Sequence, residues 1–235
     1  MPDPRHGVFE TLLVLDGRPV ELDAHLARLE ASLAELFPGR PAPDLGPLDT
    51  ELESGVMRID IAPDRDLLEA RISFREPEDR VGSVALRSLP ISGGLGPHKW
   101  ADRSLLDEAQ TGLPAGSLPL VVDEDGAVLE ASRANVFTVR DGALLTPPLD
   151  GRILPGITRM RVLEIAEAMA IDLGEEPLTR NDLISADDVF LTGSVRGIEW
   201  VDSLDGTPLG GPGEIGRRLT MELQLAWANA KTAFF

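Results

Sequence analysis

Cysteine is absent from the 235 residues, which excludes disulfides, iron–sulfur clusters and thiolate zinc sites. Tyrosine is absent too, and histidine is limited to His6, His25 and His98. The three histidines show no paired ligand spacing, so no metal site is expected. No stretch approaches the roughly 18 consecutive apolar residues of a membrane span. The opening Met1-Pro-Asp-Pro-Arg-His6 holds turn formers and no apolar run of signal-peptide type. Cationic charge is scarce: 22 Lys+Arg face 40 Asp+Glu, a formal charge of −18, which should repel polyanions such as nucleic acids. With 43% apolar residues the chain can still bury a real core. These absences point to a cytoplasmic protein with a small-molecule substrate, and to neither a nucleic-acid nor a membrane partner.

Lysine is the scarcest charge. Only Lys99 and Lys231 occur, and the remaining basic residues are all arginine. Lys231 falls in the last turn of an expected C-terminal helix, where a cation suits the helix dipole. Lys99 follows a glycine- and proline-containing stretch in mid-chain and has no such account. Its plain alternative is a solvated loop lysine.

Short alternating segments closed by Asp-Gly recur, and that dipeptide between apolar runs signals a hairpin. Val8–Leu15 with Arg18–Leu22 reads as one hairpin, Leu118–Val122 with Val128–Glu130 as a second, and Asn135–Val139 with Ala143–Thr146 as a third. Met57–Ile61 and Leu67–Phe74 read as a further antiparallel pair. Asp23 can cap a helix carrying Leu22, Leu26, Leu29, Leu33 and Leu36 on one stripe. A second helix should start near Pro155-Gly156-Ile157-Thr158 and stop by Gly174, and a third should run from about Gly213 to Lys231. Hairpins mixed with helices argue for an α+β chain in two parts, with parallel winding disfavoured. The expected division is a small domain over 1–77, a linker over 78–83 and a larger domain over 84–235. Gly211-Pro-Gly-Glu-Ile-Gly216 matches a dinucleotide fingerprint as a bare pattern. No strand feeds it, and too little chain follows for a βαβ unit, so a helix-entry loop is the better reading.

The informative segment is Glu130-Ala-Ser-Arg-Ala-Asn135-Val-Phe137, followed by Leu144-Leu-Thr146 and Leu154-Pro-Gly156-Ile157-Thr158-Arg159. It resembles the signature of the class IV aminotransferases, the pyridoxal-phosphate enzymes of fold type IV. That signature has a Glu, an Asn five positions on, an aromatic two later, a Thr after the next hairpin and a Gly-Ile-x-Arg turn. His25-Leu-Ala-Arg28-Leu29 is similar to the family's early helix motif. Asp187-Asp-Val-Phe-Leu-Thr-Gly193-Ser194 is similar to its late strand and phosphate turn. The resemblance implies a two-domain fold of the D-amino-acid aminotransferase type, with a small α/β domain and a larger β-barrel-like domain carrying helices.

It also implies a set of roles. Pyridoxal phosphate needs a lysine for a Schiff base, a carboxylate facing its ring nitrogen and a phosphate cradle. Lys99 in Pro97-His-Lys-Trp-Ala-Asp-Arg103 matches the catalytic lysine, which would also shuttle the Cα proton. Its amine should then have a pKa depressed by burial and by the cofactor. Glu130 matches the carboxylate that keeps the pyridine nitrogen protonated; its alternative is a solvent-facing strand end. Ile157 and Thr158 would offer amides at a helix start, Gly193 and Ser194 a tight turn with a hydroxyl, and Arg28 a bidentate cation for the phosphate. Each alone could be an ordinary helix start, turn or surface arginine. His25 reads as structural.

The family divides among branched-chain aminotransferases, D-amino-acid and R-selective amine transaminases, and aminodeoxychorismate lyase. Branched-chain members use several active-site tyrosines, one soon after the catalytic lysine. This chain has none, and carries Arg103 where that tyrosine would fall, as some lyases do. The resemblance therefore implies a lyase that releases pyruvate from 4-amino-4-deoxychorismate to give 4-aminobenzoate. A transaminase of the same family is the alternative, and an inactive ligand-binding relic a further one. Arg103, Arg196 and Arg75 are candidates to fix a carboxylate of the amino substrate; surface ion pairs are the alternative for each. Two departures stand out. Asp102 replaces the family's common asparagine, and the hairpin usually preceding the Gly7-Val-Phe-Glu-Thr11 strand is missing. Family resemblance finally implies a homodimer.

Overall fold

The structure, a computed structural model, describes residues 2–48, 50, 52–76 and 82–229. These fall into two compact units. The first takes the described residues up to 76 together with 98–104 and 227–229, and the second takes 82–97 and 105–226. Most of the expected 78–83 linker lies outside the described residues. The sequence reading assigned 98–104 to the larger domain, whereas the structure groups this lysine-bearing stretch with the first unit. Backbone pairing is the reason: Val8 bridges Trp100, the Phe9 amide donates to the Lys99 carbonyl (2.9 Å), and the Ala101 amide to the Gly7 carbonyl (3.0 Å).

The first unit comprises β1 (Val8–Leu15), β2 (Arg18–Pro19), α1 (Leu22–Leu36), β3 (Ser54–Asp64) and β4 (Leu67–Arg75). Its antiparallel sheet has the order β2-β1-β3-β4. Alternation in β1 sends Val8, Leu12 and Val14 to one face, where Leu29 and Leu33 of the α1 stripe join them with Met57, Ile59 and Ile61 of β3. Each such fully buried aliphatic side chain contributes about 1.5–3 kcal/mol. The first hairpin closes as expected, but its second arm is shorter. Only Arg18 and Pro19 pair, because Glu21 turns left-handed (φ 55°) and α1 starts at once. Asp23 therefore sits within the first helical turn, and Glu21 occupies the cap position.

Along the rest of the chain follow β5 (Ser83–Pro90), α2 (Ser104–Thr111), β6 (Ser117–Val122), β7 (Ala127–Ala131), β8 (Ala134–Arg140), β9 (Ala143–Thr146) and α3 (Ile157–Ala168). Then come β10 (Leu173–Glu175), β11 (Leu178–Thr179), α4 (Arg180–Ser185), β12 (Asp188–Gly193), β13 (Gly197–Leu204), β14 (Thr207–Pro208) and α5 (Glu214–Asn229). Strands β8-β12-β13-β5-β6-β7 are paired in that order, and β7 pairs back to β8, so the sheet closes on itself. Val84, Leu86, Leu118, Leu120, Val136, Val189, Leu191 and Val201 belong to one buried cluster that fills this barrel.

The expected hairpins are all present, but the expectation against parallel strands fails. β5 pairs in parallel with both β13 and β6, and β9 with β10. No tight turn joins β5 to either partner, since β6 follows only after α2 and β13 lies far along the chain, so no turn signal announced it. The third helix runs from Glu214 to Asn229, and Lys231 lies outside the described residues. No described helix is long and apolar enough to cross a membrane.

Candidate active site

In the larger unit, an irregularity in β7 decides where Glu130 points. Leu120 of β6 pairs with Ala131 and Val122 pairs with Val128, so β7 has one residue more than its partner over this span. Val128 and Ala131 both lie in the barrel cluster although an even count would separate them. The extra residue lets Glu130 leave the barrel interior, as a bulge does when it re-aims a side chain. Glu130 stands opposite Asn135 of β8, and Asn135 opposite Thr192 of β12. Opposed residues share a sheet face, so Glu130, Asn135 and Thr192 line the outer face together, and all three are buried.

The start of α3 lies against this face. The Leu154 amide donates to Glu130 Oε2 (3.3 Å) and the Asn135 side chain donates to the Leu154 carbonyl (2.9 Å). Gly156, the residue before the helix, receives Asn135 so closely that a Cβ there would sit 1.9 Å from Asn135 Oδ1. With glycine at that position no side chain caps the helix. Ile157 and Thr158 begin α3 there, and both are buried. A buried helix start without a side-chain cap suits an anion. Gly193 ends β12 one residue beyond Thr192, whose buried hydroxyl has no hydrogen-bond partner among the described residues, and Ser194 opens the following turn. The structure thus brings together Glu130, Ile157, Thr158, Gly193 and Ser194. Asn135 was part of the motif but given no role by sequence reasoning; it is the piece that ties Glu130's strand to the α3 start. Two other motif residues are structural. Thr146 donates to the Val136 carbonyl (2.8 Å), and Arg159 bonds to the Pro147 carbonyl and to Glu175.

The first unit carries Lys99 and Arg28. Lys99 is half-buried, with Nζ 4.8 Å from the centroid of the Phe9 ring. The Arg58 guanidinium lies 3.7 Å from the same ring and is bound to Asp60. Sequence reasoning gave neither Phe9 nor Arg58 a role. Arg28 reaches Glu10 of β1 through two bonds, Nε to Oε1 (2.8 Å) and Nη2 to Oε2 (2.6 Å), and His25 Nδ1 lies 2.7 Å from Oε2. Burial alone would raise the Glu10 carboxyl, but the bonds from His25 and Arg28 outweigh it and lower it to about 2. Burial pushes the His25 imidazole down, against the opposing pull of Glu10.

The lysine segment is held by its flanks. His98 faces Ser32 Oγ (3.1 Å) and Glu35 (3.5 Å) on α1. Asp102 accepts from Ser104 Oγ (2.7 Å) and from the Asp3 amide (2.9 Å), and these bonds lower its carboxyl to about 2. Asp102 thus pins the stretch after Lys99 to the start of the chain. The candidate substrate arginines divide between the two units. Arg103 is half-buried beside Asp102, Arg75 is exposed at the end of β4, and Arg196 in the β12–β13 turn lies 3.7 Å from Glu199.

Comparison with known proteins gives this arrangement a family. The model for amino-transferase class IV matches residues 115–204. A Methanocaldococcus jannaschii protein, whose name marks its branched-chain-amino-acid aminotransferase activity as provisional, is 30% identical; the alignment covers 91% of this chain and 84% of that one. A D-alanine aminotransferase of Bacillus licheniformis is 27% identical over 93% and 86% of the two chains. Among solved structures, the 4-amino-4-deoxychorismate lyase of Pseudomonas aeruginosa superposes with a TM-score of 0.77 at 27% identity, covering 92% and 89%. The chain belongs to the class IV aminotransferases, a family of enzymes that work with pyridoxal phosphate.

Proposed function

We propose that the protein binds pyridoxal phosphate and uses it to split 4-amino-4-deoxychorismate into 4-aminobenzoate and pyruvate. The residues fit the cofactor on two observations. The α3 start is buried and carries no side-chain cap, with Gly156 making room for Asn135, and among the described residues the buried Thr192 hydroxyl beside Gly193 has no hydrogen-bond partner. Ile157, Thr158, Gly193 and Ser194 would hold the phosphate with Arg28. Glu130, fixed by Leu154, would accept a hydrogen bond from the protonated ring nitrogen and keep it protonated. Pyridoxal phosphate supplies an electron sink for the bond broken at the carbon that bears the substrate amine.

Lys99 would hold the cofactor through its amine and, once released, take the proton from that carbon. The C–O bond at the neighbouring ring carbon would then break, and passing the proton to the departing enolate would complete pyruvate and leave an aromatic ring. The amine is placed for movement, resting on the Phe9 ring while its backbone is pinned to β1. Arg103 or Arg196, together with Arg58 on the Phe9 ring, would meet the substrate's carboxylates. Arg75, exposed on β4, fits that task less well.

The observation that carries the lyase over a branched-chain transaminase is the complete lack of tyrosine, with Arg103 following the lysine. Transamination is the second reading, favoured by the aminotransferase relatives at 30% and 27% identity. The test begins with borohydride reduction of the protein loaded with pyridoxal phosphate. Peptide mapping should find the pyridoxyl group on Lys99, and Lys99→Ala should take up none. Supplied with aminodeoxychorismate, the loaded protein should release 4-aminobenzoate. Glutamate formation from amino acids and 2-oxoglutarate in its place would make it a transaminase, and no labelling at all would overturn both readings.

A further inference from the structure

Glu10 belongs to none of the roles above, yet it is among the most buried charged groups of the described chain, 1% exposed in the middle of β1. It faces α1 and grips Arg28 with both oxygens, in the parallel two-bond geometry that fixes a guanidinium plane. His25, one helical turn before Arg28, closes on Oε2 from the side. Fastening α1 to the sheet does not require this group. Leu29, Leu33 and Phe37 already pack on Val8, Leu12 and Ile59, and a buried ion pair adds little to what apolar packing provides. The trio also lies close enough to Lys99 for the lysine's charge to bear on His25, and the preceding residue of β1, Phe9, carries Lys99 on its ring.

Building on the reading of Arg28 as a phosphate-binding residue, we propose that Glu10 is a positioning residue for the cofactor's phosphate. Its carboxylate holds the Arg28 guanidinium in one orientation, with His25 bracing the carboxylate. Two effects of Glu10 oppose each other. Its negative charge offsets that of Arg28 and so weakens attraction to a dianion. Its fork removes the rotational freedom that a long arginine side chain would otherwise lose on binding. The inference is that the second effect wins. A glutamine at this position would offer one acceptor and turn N–H groups toward the arginine's own, leaving the guanidinium misaligned.

The experiment compares dissociation constants of pyridoxal phosphate and of pyridoxal, which lacks the phosphate, for the wild type, Glu10→Gln and Glu10→Asp. Wild type should prefer the phosphorylated form. Glu10→Gln should cut that preference by about tenfold while leaving pyridoxal binding within about twofold, and Glu10→Asp should fall between. Should Glu10→Gln fail to fold, as judged by circular dichroism and melting, Glu10→Asp decides alone. Equal loss for both ligands would mark Glu10 as merely structural, and an unchanged or stronger preference would mean that it only neutralises Arg28; either result overturns the proposal. A wild type that binds the two forms equally would remove the Arg28 reading itself, and this proposal with it.

Discussion

Asp188 stands where β12 begins, 1% exposed, with both carboxylate oxygens lacking a well-aligned hydrogen bond. Its neighbours come from the start of α5 and from β13. A Cβ at Gly216 would lie 2.5 Å from Oδ2 and 2.6 Å from the Trp200 ring, and one at Gly213 would lie 3.1 Å from Oδ2. Burial raises its carboxyl to about 6, against the pull of the Gly213 and Gly216 amides and of Arg217. The sign follows from the raised value. The folded chain holds this proton more tightly than the unfolded one, so the contribution to stability is present below pH 4 and lost as pH rises through 6. At pH 7.5 the ionised, buried group is a cost of at most about 3 kcal/mol. Asp188→Asn should therefore raise the melting temperature at pH 7.5 by about 5 °C and leave it nearly unchanged at pH 4. Equal shifts at the two pH values would show that the effect is not ionisation.

Among the elements, the start of α3 is where the site depends on the fold. Gly156 is fixed by proximity, since Asn135 Oδ1 occupies the place of any Cβ. Gly156→Ala should push Asn135 off the Leu154 carbonyl and cost about 1–3 kcal/mol. Asn135→Ala removes the obstructing atom, so the double variant should be less destabilised than the sum of the singles, which a double-mutant cycle by urea unfolding reads directly. Additive costs would mean that the two residues do not meet. This element also shows what sequence can tell. The spacing of Glu130, Asn135, Gly156 and Thr158 was legible because the motif's pieces lie close together along the chain, and so were the hairpins closed by Asp-Gly.

The bulge in β7 was not legible. A single extra residue leaves no mark in a run as apolar as Ala127-Val-Leu129, yet it decides which way Glu130 faces. Glu10 was hidden for a related reason: an acid at an inward position of an alternating strand makes sense only once Arg28, eighteen residues on, is seen against it. The parallel pairing of β5 escaped as well, since β6 follows it only after α2, β13 lies far along the chain, and a turn links it to neither.

At the scale of the whole molecule, charge governs how copies can meet. Each 25.3 kDa chain carries a formal charge of −18, and the homodimer proposed from family resemblance must bring two such charges together. Repulsion of that kind acts over about 30 Å at 0.01 M salt but only about 8 Å at 0.15 M. What holds the pair must then be burial of apolar surface, which salt does not screen. Assembly should tighten as salt rises. Sedimentation equilibrium at 0.15 M salt should give twice the mass of the chain, and dilution into 0.01 M salt should shift the population toward single chains. Bound pyridoxal phosphate should oppose that shift if it favours the assembled form, because a ligand stabilises whichever state binds it. A dimer that loosens as salt is added would instead be held by complementary charges. Arg133, the more exposed partner of its pair with Glu199, is one candidate for such a contact, and Arg133→Ala would then weaken the dimer.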